Sequence, residues 1–275
     1  MSTKKVKHVQ EMEAKKQQQA HIILVHGACH GAWCWYKAKP LLEAAGHRVT
    51  ALDMAASGID SRSLDELRSL DDYTRPLLEL MGSIPAQEKV VLVGHSLGGL
   101  NLGLVMDTYP QKIRVAVFLA AFMPDCSHQP YYVLDQYNKR TPAEEWLDTE
   151  FLPYGAPQHP LTSMFFGPKF VSSKLYNLCS HEDVALAMML IRRSSLFADD
   201  LSKKSAFSKE GFGSVKRVYI VCAQDKAIPV NFQRWQIETI GVDQVKEIET
   251  ADHMAMLSQP HQLCQCLSDI LNNYP

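Results

Sequence analysis

The stretch Val90-Val91-Leu92-Val93-Gly94-His95-Ser96-Leu97-Gly98-Gly99 determines the predicted fold. Its first four residues are apolar and mostly β-branched, which is typical of a strand buried on both faces of a parallel sheet. The next five match G-x-S-x-G, and a helical pattern follows over residues 97–109. A Gly-rich turn between strand and helix is the simpler interpretation, but the combination favours a nucleophile elbow. In such an elbow a strained serine, here Ser96, needs small neighbours, which are Gly94, Gly98 and Gly99.

Similar apolar runs recur along the chain and alternate with helical patterns. Strands are predicted at residues 21–25, 48–52, 90–93, 115–119 and 218–221, with an edge strand at 246–248. Helices are predicted at residues 35–45, 70–81, 97–109 and 262–271. Strands that alternate with helices predict βαβ crossovers and an α/β fold with a doubly wound, mostly parallel sheet.

The alternation breaks between residues 124 and 201, where aromatic residues and prolines are frequent. One short helix is predicted there, at residues 183–192. We interpret this segment as an inserted cap over one end of the sheet, because the strand–helix pattern resumes at Val218.

Two residues are predicted to form a catalytic triad with Ser96. In the α/β-hydrolase fold, which these patterns predict, the acid and then the histidine follow the serine along the chain. Each lies at the carboxyl end of a strand. Asp225 follows the strand at 218–221, and His253 follows the strand at 246–248. His253 is expected to accept the proton of the Ser96 hydroxyl, while Asp225 fixes the tautomer and stabilises the imidazolium.

Two other acidic residues compete with Asp225 for this role. Asp252 is adjacent to His253 in sequence, so its side chain is expected to point elsewhere and to serve a turn or a helix cap. Asp243 is the second competitor. The order along the chain favours Asp225.

An oxyanion hole is predicted from backbone N–H groups. The first strand ends in Val25-His26-Gly27-Ala28, a glycine-containing loop that allows the backbone to approach an ester oxygen. The N–H groups of Ala28 and Leu97 are the expected pair. Loss of one donor from such a site costs about 2.7–4 kcal/mol of transition-state stabilisation.

Four potential metal ligands, His26, Cys29, His30 and Cys34, follow the first strand. No second cluster matches them, and they lie in a short loop after a buried strand, so we expect no metal site there. The predicted chemistry requires no cofactor.

The overall composition argues against several classes of partner. The 275 residues contain 28 Lys and Arg against 30 Asp and Glu, so no net field favours nucleic acid or an anionic membrane. The N-terminal residues lack the apolar core of a secretory signal. The seven cysteines, an odd number, suggest free thiols in a reducing compartment. We expect a soluble cytoplasmic protein with a disordered tail over residues 1–20 and a single domain over residues 21–275.

Several stretches resemble the plant methylesterase family of the α/β-hydrolase superfamily. They are residues 26–33, 94–99, 213–217 and 251–256. Residues 138–144 and 161–170 are especially similar to the salicylic-acid-binding methyl salicylate esterases of that family. Polyneuridine aldehyde esterase and the α-hydroxynitrile lyases are related to this group. The similarity extends from about residue 21 to the C-terminus.

This resemblance implies a substrate class and a set of site residues. Members hydrolyse small methyl esters of plant signalling acids, such as salicylate, jasmonate and indole-3-acetate, and many are homodimers. The resemblance implies the same triad and oxyanion donors. It also implies that the acyl group is bound by Gly27, Phe122, Tyr137, Trp146, Phe151, Leu196 and Met254. An aromatic-rich cap would favour a flat apolar acyl group, although each aromatic residue could equally pack inside the cap.

Three other functions stay open. One is an esterase of an alkaloid pathway, whose product acid then decarboxylates, and another is a salicylate-binding, receptor-like role. The third is a hydroxynitrile lyase, which the sequence disfavours. Those lyases have threonine in place of Gly27, which crowds the tetrahedral intermediate of an esterase. They have lysine in place of Met254, which can hold the departing cyanide.

Overall fold

The computed structural model describes residues 19–274, and parallel strands form its centre. The strands are β1 (His21–Val25), β2 (Arg48–Leu52), β3 (Val90–His95), β4 (Ile113–Leu119), β5 (Glu150–Tyr154), β6 (Leu161–Phe165), β7 (Ser194–Ser195), β8 (Arg217–Cys222) and β9 (Gln244–Ile248). Six of them form one sheet in the order β2-β1-β3-β4-β8-β9, and all of its neighbouring pairs are parallel. All six predicted strands are present, and the last one lies at the edge as expected.

Helices alternate with the strands of this sheet along the chain, as the sequence pattern predicts. They are α1 (Ala38–Ala44), α2 (Leu70–Ser83), α3 (Gly98–Thr108), α4 (Tyr132–Arg140), α5 (Pro168–Phe170), α6 (His181–Leu190), α7 (Ala198–Leu201), α8 (Val230–Ile240), α9 (Ala255–Ser258) and α10 (Pro260–Asn273). The predicted helices at 70–81, 97–109, 183–192 and 262–271 are present with slightly shifted ends. Within residues 19–274, no helix has both the length and the hydrophobicity needed to cross a bilayer.

The predicted helix at residues 35–45 begins too early. A short 3-10 turn over Ala32–Trp35 comes first, and α1 begins only at Ala38. Pro40 explains the difference, because a proline lacks the N–H for a helical bond and its ring clashes with the carbonyl four residues before it. Pro40 is therefore tolerated only in the first turn of the helix.

The segment between β4 and β8 contains more regular structure than the sequence predicts. Strands β5, β6 and β7 form a separate antiparallel sheet, and α4 precedes it. Pro153 lies inside β5, paired with Thr162 of β6. This position is tolerated because β5 is an edge strand, whose free side needs no N–H donor. The sequence did not predict these strands, because the prolines of this region argue against regular secondary structure.

The start of the folded part is well defined. Ala20 is buried, and its carbonyl accepts the N–H of Arg48 at 3.0 Å. Residue 20 is therefore attached to the edge of the sheet, although the sequence places it in the tail. The predicted tail over residues 1–18 lies outside the described residues.

Helix α3 lies very close to the chain that follows β4, at Gly99. A Cβ atom at this position would lie 2.1 Å from the carbonyl oxygen of Phe122 and 3.0 Å from the Cβ of Ala121. Both contacts are far inside van der Waals distance, and one of them is to backbone. The approach of α3 to the sheet therefore requires glycine at position 99.

We expect Gly99→Ala to lower the free energy of unfolding by about 2 kcal/mol or more, because overpacking a rigid site displaces the backbone. For a chain of this size the loss corresponds to a fall in Tm of roughly 4–8 °C. Gly82→Ala is the matched control, since a Cβ at that exposed helical site would meet only the Tyr109 hydroxyl, at 3.4 Å. It should be neutral or stabilising by up to about 1 kcal/mol. Equal Tm values for both variants in calorimetry would contradict the packing account.

Candidate active site

Ser96 lies on a tight turn between β3 and α3. Its φ angle is 55°, in the left-handed region that non-glycine residues rarely occupy. The Ser96 N–H donates to the carbonyl of Leu119 at 3.3 Å, and the Ser96 carbonyl accepts the N–H of Phe122 at 3.0 Å. These bonds to the end of β4 hold the strained conformation, and strain of this kind clusters at functional sites. The structure thus has the strand–turn–helix geometry that the sequence predicts around Ser96.

His253 and Asp225 form a buried hydrogen-bonded pair. The imidazole Nδ1–H donates to Asp225 Oδ2 at 2.7 Å, and the two side chains are only 2% and 0% exposed. The other carboxylate oxygen, Oδ1, accepts the N–H groups of Ala227 and Ile228, each at 2.8 Å. The carboxylate is therefore fixed by backbone donors and in turn fixes the imidazole. Nε2 of His253 is the ring nitrogen that stays available for a reacting hydroxyl.

Ser96 and His253 line the same cavity. Within residues 19–274, no direct hydrogen bond joins Ser96 Oγ to His253 Nε2. In many free enzymes the catalytic hydrogen bonds are long and shorten only around a bound substrate. The structure brings the three predicted triad residues to one site, with the acid–imidazole contact already formed.

His95 is a site residue that the sequence did not reveal. Its Nε2–H donates to the backbone carbonyl of His253 at 2.8 Å, and the two ring centroids lie 4.5 Å apart. Burial, reinforced by the nearby His253, holds the pKa of His95 well below its ordinary value. His95 is therefore a neutral donor that positions the backbone of His253. Its place beside Ser96 was a possible signal, but a contact across 158 positions cannot be read from sequence.

Two further histidines shape the loop that contains Ala28. His26 Nδ1–H donates to the carbonyl of Gly27 at 2.8 Å, and His30 Nδ1–H donates to the carbonyl of Ala28, also at 2.8 Å. The carbonyl and the N–H of a trans peptide point in opposite directions. The bond from His26 therefore turns the N–H of Ala28 away from His26. Ala28 and Leu97 both line the cavity beside Ser96, as expected of an oxyanion pair.

Gly27 lies directly against the nucleophile position. A Cβ atom there would lie 2.7 Å from the Cβ of Ser96 and 3.2 Å from its Oγ. It would also lie 3.3 Å from Nδ1 of His95. A side chain at position 27 would therefore displace Ser96. Gly27 was expected to bind the acyl group, but the structure places it behind Ser96, outside the cavity lining.

The cavity at Ser96 has a mainly apolar lining. Four predicted residues line it, namely Phe122, Tyr137, Trp146 and Leu196. The prediction is wrong for Phe151, which is 43% exposed and lines a different cavity. It is also wrong for Met254, which is fully buried and does not reach the lining. The argument against a hydroxynitrile lyase from Met254 is therefore not supported by the cavity lining. The argument from Gly27 is supported, because a side chain at position 27 would displace Ser96.

Sequence reasoning missed about half of the lining. The missed residues are Leu134, Met164, Phe166, Phe170, Leu175, Ala227 and Ile228. Two of them closely follow Asp225 and could have been inferred from that position. The others lie in cap elements that the sequence did not predict. Trp146 and Phe166 stack on Phe170, with ring centroids 5.7 Å and 5.0 Å away, so flat rings form one wall of the cavity.

The competing acids are engaged elsewhere. Asp252 accepts the N–H groups of Met254 and Leu178, at 3.0 and 2.8 Å, which fits the turn role expected for it. Asp243 pairs with Lys216 at 2.6 Å, at the far side of the sheet from the carboxyl ends of its strands. Asp225 is the acid that contacts His253.

Three of the four potential metal ligands after β1, namely His26, Cys29 and His30, are unsuited to bind a metal. Nε2 of His26 accepts the N–H of Met54 at 3.0 Å, and Nε2 of His30 lies 2.7 Å from the hydroxyl of Tyr176. With both nitrogens of each ring occupied, neither histidine has a lone pair free for a metal. Burial raises the pKa of the Cys29 thiol to about 12, which disfavours the thiolate that a metal would need.

The chain is similar to a known protein family, to proteins of related sequence and to a solved structure. A family model described as the alpha/beta hydrolase family matches residues 22–265. Salicylic acid-binding protein 2 of Nicotiana tabacum is 68% identical over 254 residues, which cover 92% of this chain and 98% of that protein. Methylesterase 1 of Arabidopsis thaliana is 53% identical over 264 residues, covering 96% and 100%. The crystal structure of polyneuridine aldehyde esterase matches with a TM-score of 0.91 at 56% identity, covering 92% of this chain and 99% of that chain.

The buried His30 generates a prediction for acid stability. Burial lowers its pKa to about 3, against about 6.5 in the unfolded chain. The folded protein therefore cannot bind the proton that the unfolded chain binds. The stability that the neutral ring contributes is complete above pH 6.5 and is lost as the pH falls toward 3. Between pH 6.5 and pH 5 the loss is about 2 kcal/mol.

Both proteins should lose stability between pH 6.5 and pH 5. We expect the free energy of unfolding to decrease by about 2 kcal/mol less in His30→Gln than in the wild type, because the variant lacks the buried imidazole. Urea unfolding followed by tryptophan fluorescence at several pH values measures it. Tyr176→Phe is the control, because it removes the 2.7 Å contact but keeps the imidazole. Tyr176→Phe should lower the free energy of unfolding at all pH values, but the change of that free energy with pH should match the wild type. A His30→Gln slope equal to that of the wild type would disprove the assignment.

Proposed function

The chain belongs to the alpha/beta hydrolase family as one of its plant methylesterases, and from this premise we propose that it hydrolyses small methyl esters of plant signalling acids. Methyl salicylate is the first candidate, and methyl jasmonate and methyl indole-3-acetate follow. The observation that carries the proposal is the apolar cavity that opens on Ser96 beside the buried Asp225–His253 pair.

In the proposed mechanism, Ser96 Oγ attacks the ester carbonyl while its proton moves to Nε2 of His253. The carbonyl oxygen becomes an oxyanion that accepts the N–H groups of Ala28 and Leu97. Asp225 stabilises the imidazolium through the 2.7 Å bond at Nδ1. Collapse of the intermediate breaks the bond to the methoxy oxygen, which takes the proton from His253 and leaves as methanol.

The second half of the reaction repeats these roles with water. His253 accepts a proton from water, the hydroxide oxygen attacks the acyl-enzyme carbonyl, and the same two N–H groups hold the oxyanion. The bond to Ser96 Oγ then breaks, and Oγ recovers its proton from His253. The free acid leaves, and the enzyme is regenerated without a cofactor.

The cavity supports a flat apolar acyl group. Its lining is formed mainly by aromatic and aliphatic side chains, and burying apolar surface is worth about 25 cal/mol per Å². Such a lining offers little to a charged substrate. Tyr137 donates its hydroxyl proton to the carbonyl of Ala227 at 2.6 Å, so this ring is held in place as part of the wall.

A second candidate follows from the similarity to polyneuridine aldehyde esterase. The substrate would be a methyl ester with a carbonyl group at the β carbon, and the freed acid would lose CO2. The same groups would act in both reactions, so the shape of the acyl half of the cavity decides between them. Release of CO2 from such an ester, measured beside methanol release from methyl salicylate, separates the two candidates.

Two further functions have less support. A salicylate-binding role is compatible with an esterase that retains its product, and salicylate would then inhibit competitively, whereas tight binding without inhibition would indicate a separate site. A hydroxynitrile lyase is disfavoured, because those enzymes have threonine where this chain has Gly27. A Cβ atom at position 27 of this structure would lie 2.7 Å from that of Ser96, so the site does not accommodate threonine.

The proposed function is tested with a panel of methyl esters that includes methyl salicylate, methyl jasmonate and methyl indole-3-acetate. We expect the wild type to release methanol and acid in equal amounts from at least one of them. Ser96→Ala should lose at least about 10⁴-fold in kcat, because the nucleophile is absent. Ser127→Ala, at an exposed loop serine, is the control and should match the wild type. Equal activity of Ser96→Ala and the wild type would remove Ser96 from the mechanism.

A further inference from the structure

A second cavity lies beside the active-site cavity and is lined in part by strands β5, β6 and β7 of the cap. It is larger than the cavity at Ser96. We call it the distal cavity. Met164 and Leu196 line both cavities and therefore form their shared wall. The distal cavity has no role in the mechanism described above.

The backbone of this wall is fixed on three sides. Met164 belongs to β6, the central strand of the small sheet, and pairs with Phe151 of β5 and Ser194 of β7. Its carbonyl also accepts the thiol of Cys29 at 3.5 Å, which ties β6 to the loop after β1. The Met164 side chain, which is 2% exposed, is the part that can move. Methionine is unbranched and has three rotatable bonds, so it changes rotamer at low cost.

The lining of the distal cavity is suited to an apolar chain. Phe151, Leu161, Phe197 and Ala198 supply apolar surface next to the wall. Arg68, Asp199 and Asp200 supply the charged part of its lining, and Thr162, Ser163 and Ser195 the neutral polar part. A linear alkyl group could therefore extend from the active-site cavity into this space.

We propose that Met164, with Leu196, limits the length of the acyl group that the enzyme accepts, and that the distal cavity receives the end of longer acyl chains when this wall is opened. This inference rests on the proposed esterase function. It assigns a specificity-determining role to Met164 and names linear aliphatic methyl esters as the class that the distal cavity takes.

The test compares kcat/KM for methyl esters of linear acids, from methyl butanoate to methyl decanoate, in the wild type and in Met164→Ala. In the wild type, kcat/KM should stop rising once the chain reaches Met164. In Met164→Ala it should continue to rise by roughly fourfold for each added methylene group that enters the distal cavity. The ratio of decanoate to butanoate activity should increase at least about tenfold over the wild type.

Filling the distal cavity provides the matched control. Ala198 lines the distal cavity and not the active-site cavity. The double variant Met164→Ala/Ala198→Phe should therefore lose the gain for long esters, and its ratio of decanoate to butanoate activity should lie near the wild-type value. Met189→Ala, at a methionine that is 73% exposed, should leave the chain-length profile unchanged. If Met164→Ala does not fold, Leu196→Ala is the second variant and should give the same shift.

The outcomes separate this inference from the proposed function. If the wild type hydrolyses short methyl esters and the folded Met164→Ala or Leu196→Ala variant has the wild-type chain-length profile, the inference is overturned and the esterase function stands. If the gain for long esters persists in the double variant with Ala198→Phe, the distal cavity is not where the chain goes, and the inference is likewise overturned. If the wild type hydrolyses none of the methyl esters, the proposed function itself fails.

Discussion

The hydrogen bond between Nδ1 of His253 and Oδ2 of Asp225 is the contact on which the candidate site depends. It joins the ends of two neighbouring strands, β8 and β9, at a position that is almost completely closed to water. In such surroundings a carboxylate is stable only when its other lone pairs have donors, and Ala227 and Ile228 provide them. The parallel sheet therefore orients the imidazole before any substrate binds.

A set of neutral, buried histidines surrounds this contact. His26 and His30 hold the carbonyls of the loop after β1, and His95 holds the carbonyl of His253. Each ring acts as a donor whose charge state burial keeps constant, so these bonds do not change when His253 takes up a proton. Burial thus keeps neutral the three imidazoles that hold backbone carbonyls near the proposed catalytic imidazole. Because these rings stay neutral in the folded protein, the unfolded chain binds more protons in acid. The free energy of unfolding therefore falls as the pH falls.

The parts of the structure that depend on local chemistry could be predicted from the sequence. The strained turn at Ser96 needs glycines at fixed distances, and buried parallel strands need apolar runs, so both leave a direct signal. The start of helix α1 and the sheet β5-β6-β7 could not be read in this way, because Pro40 and Pro153 are tolerated only in a first turn and at a sheet edge. The cavity lining was the least predictable, since Met164 and Phe170 reach it through tertiary packing of the cap. Phe151 and Met254 illustrate the converse, because a position implied by resemblance need not face the cavity.

The central claim is that Ser96 becomes nucleophilic through an imidazole that Asp225 orients. The most direct measurement is the rate of covalent phosphorylation by a neutral organophosphate, with mass spectrometry to locate the adduct. The account predicts one adduct, on the peptide that contains Ser96, formed about 10⁴-fold more slowly in Asp225→Asn than in the wild type. Equal rates in the two proteins, or an adduct that persists in Ser96→Ala, would contradict it.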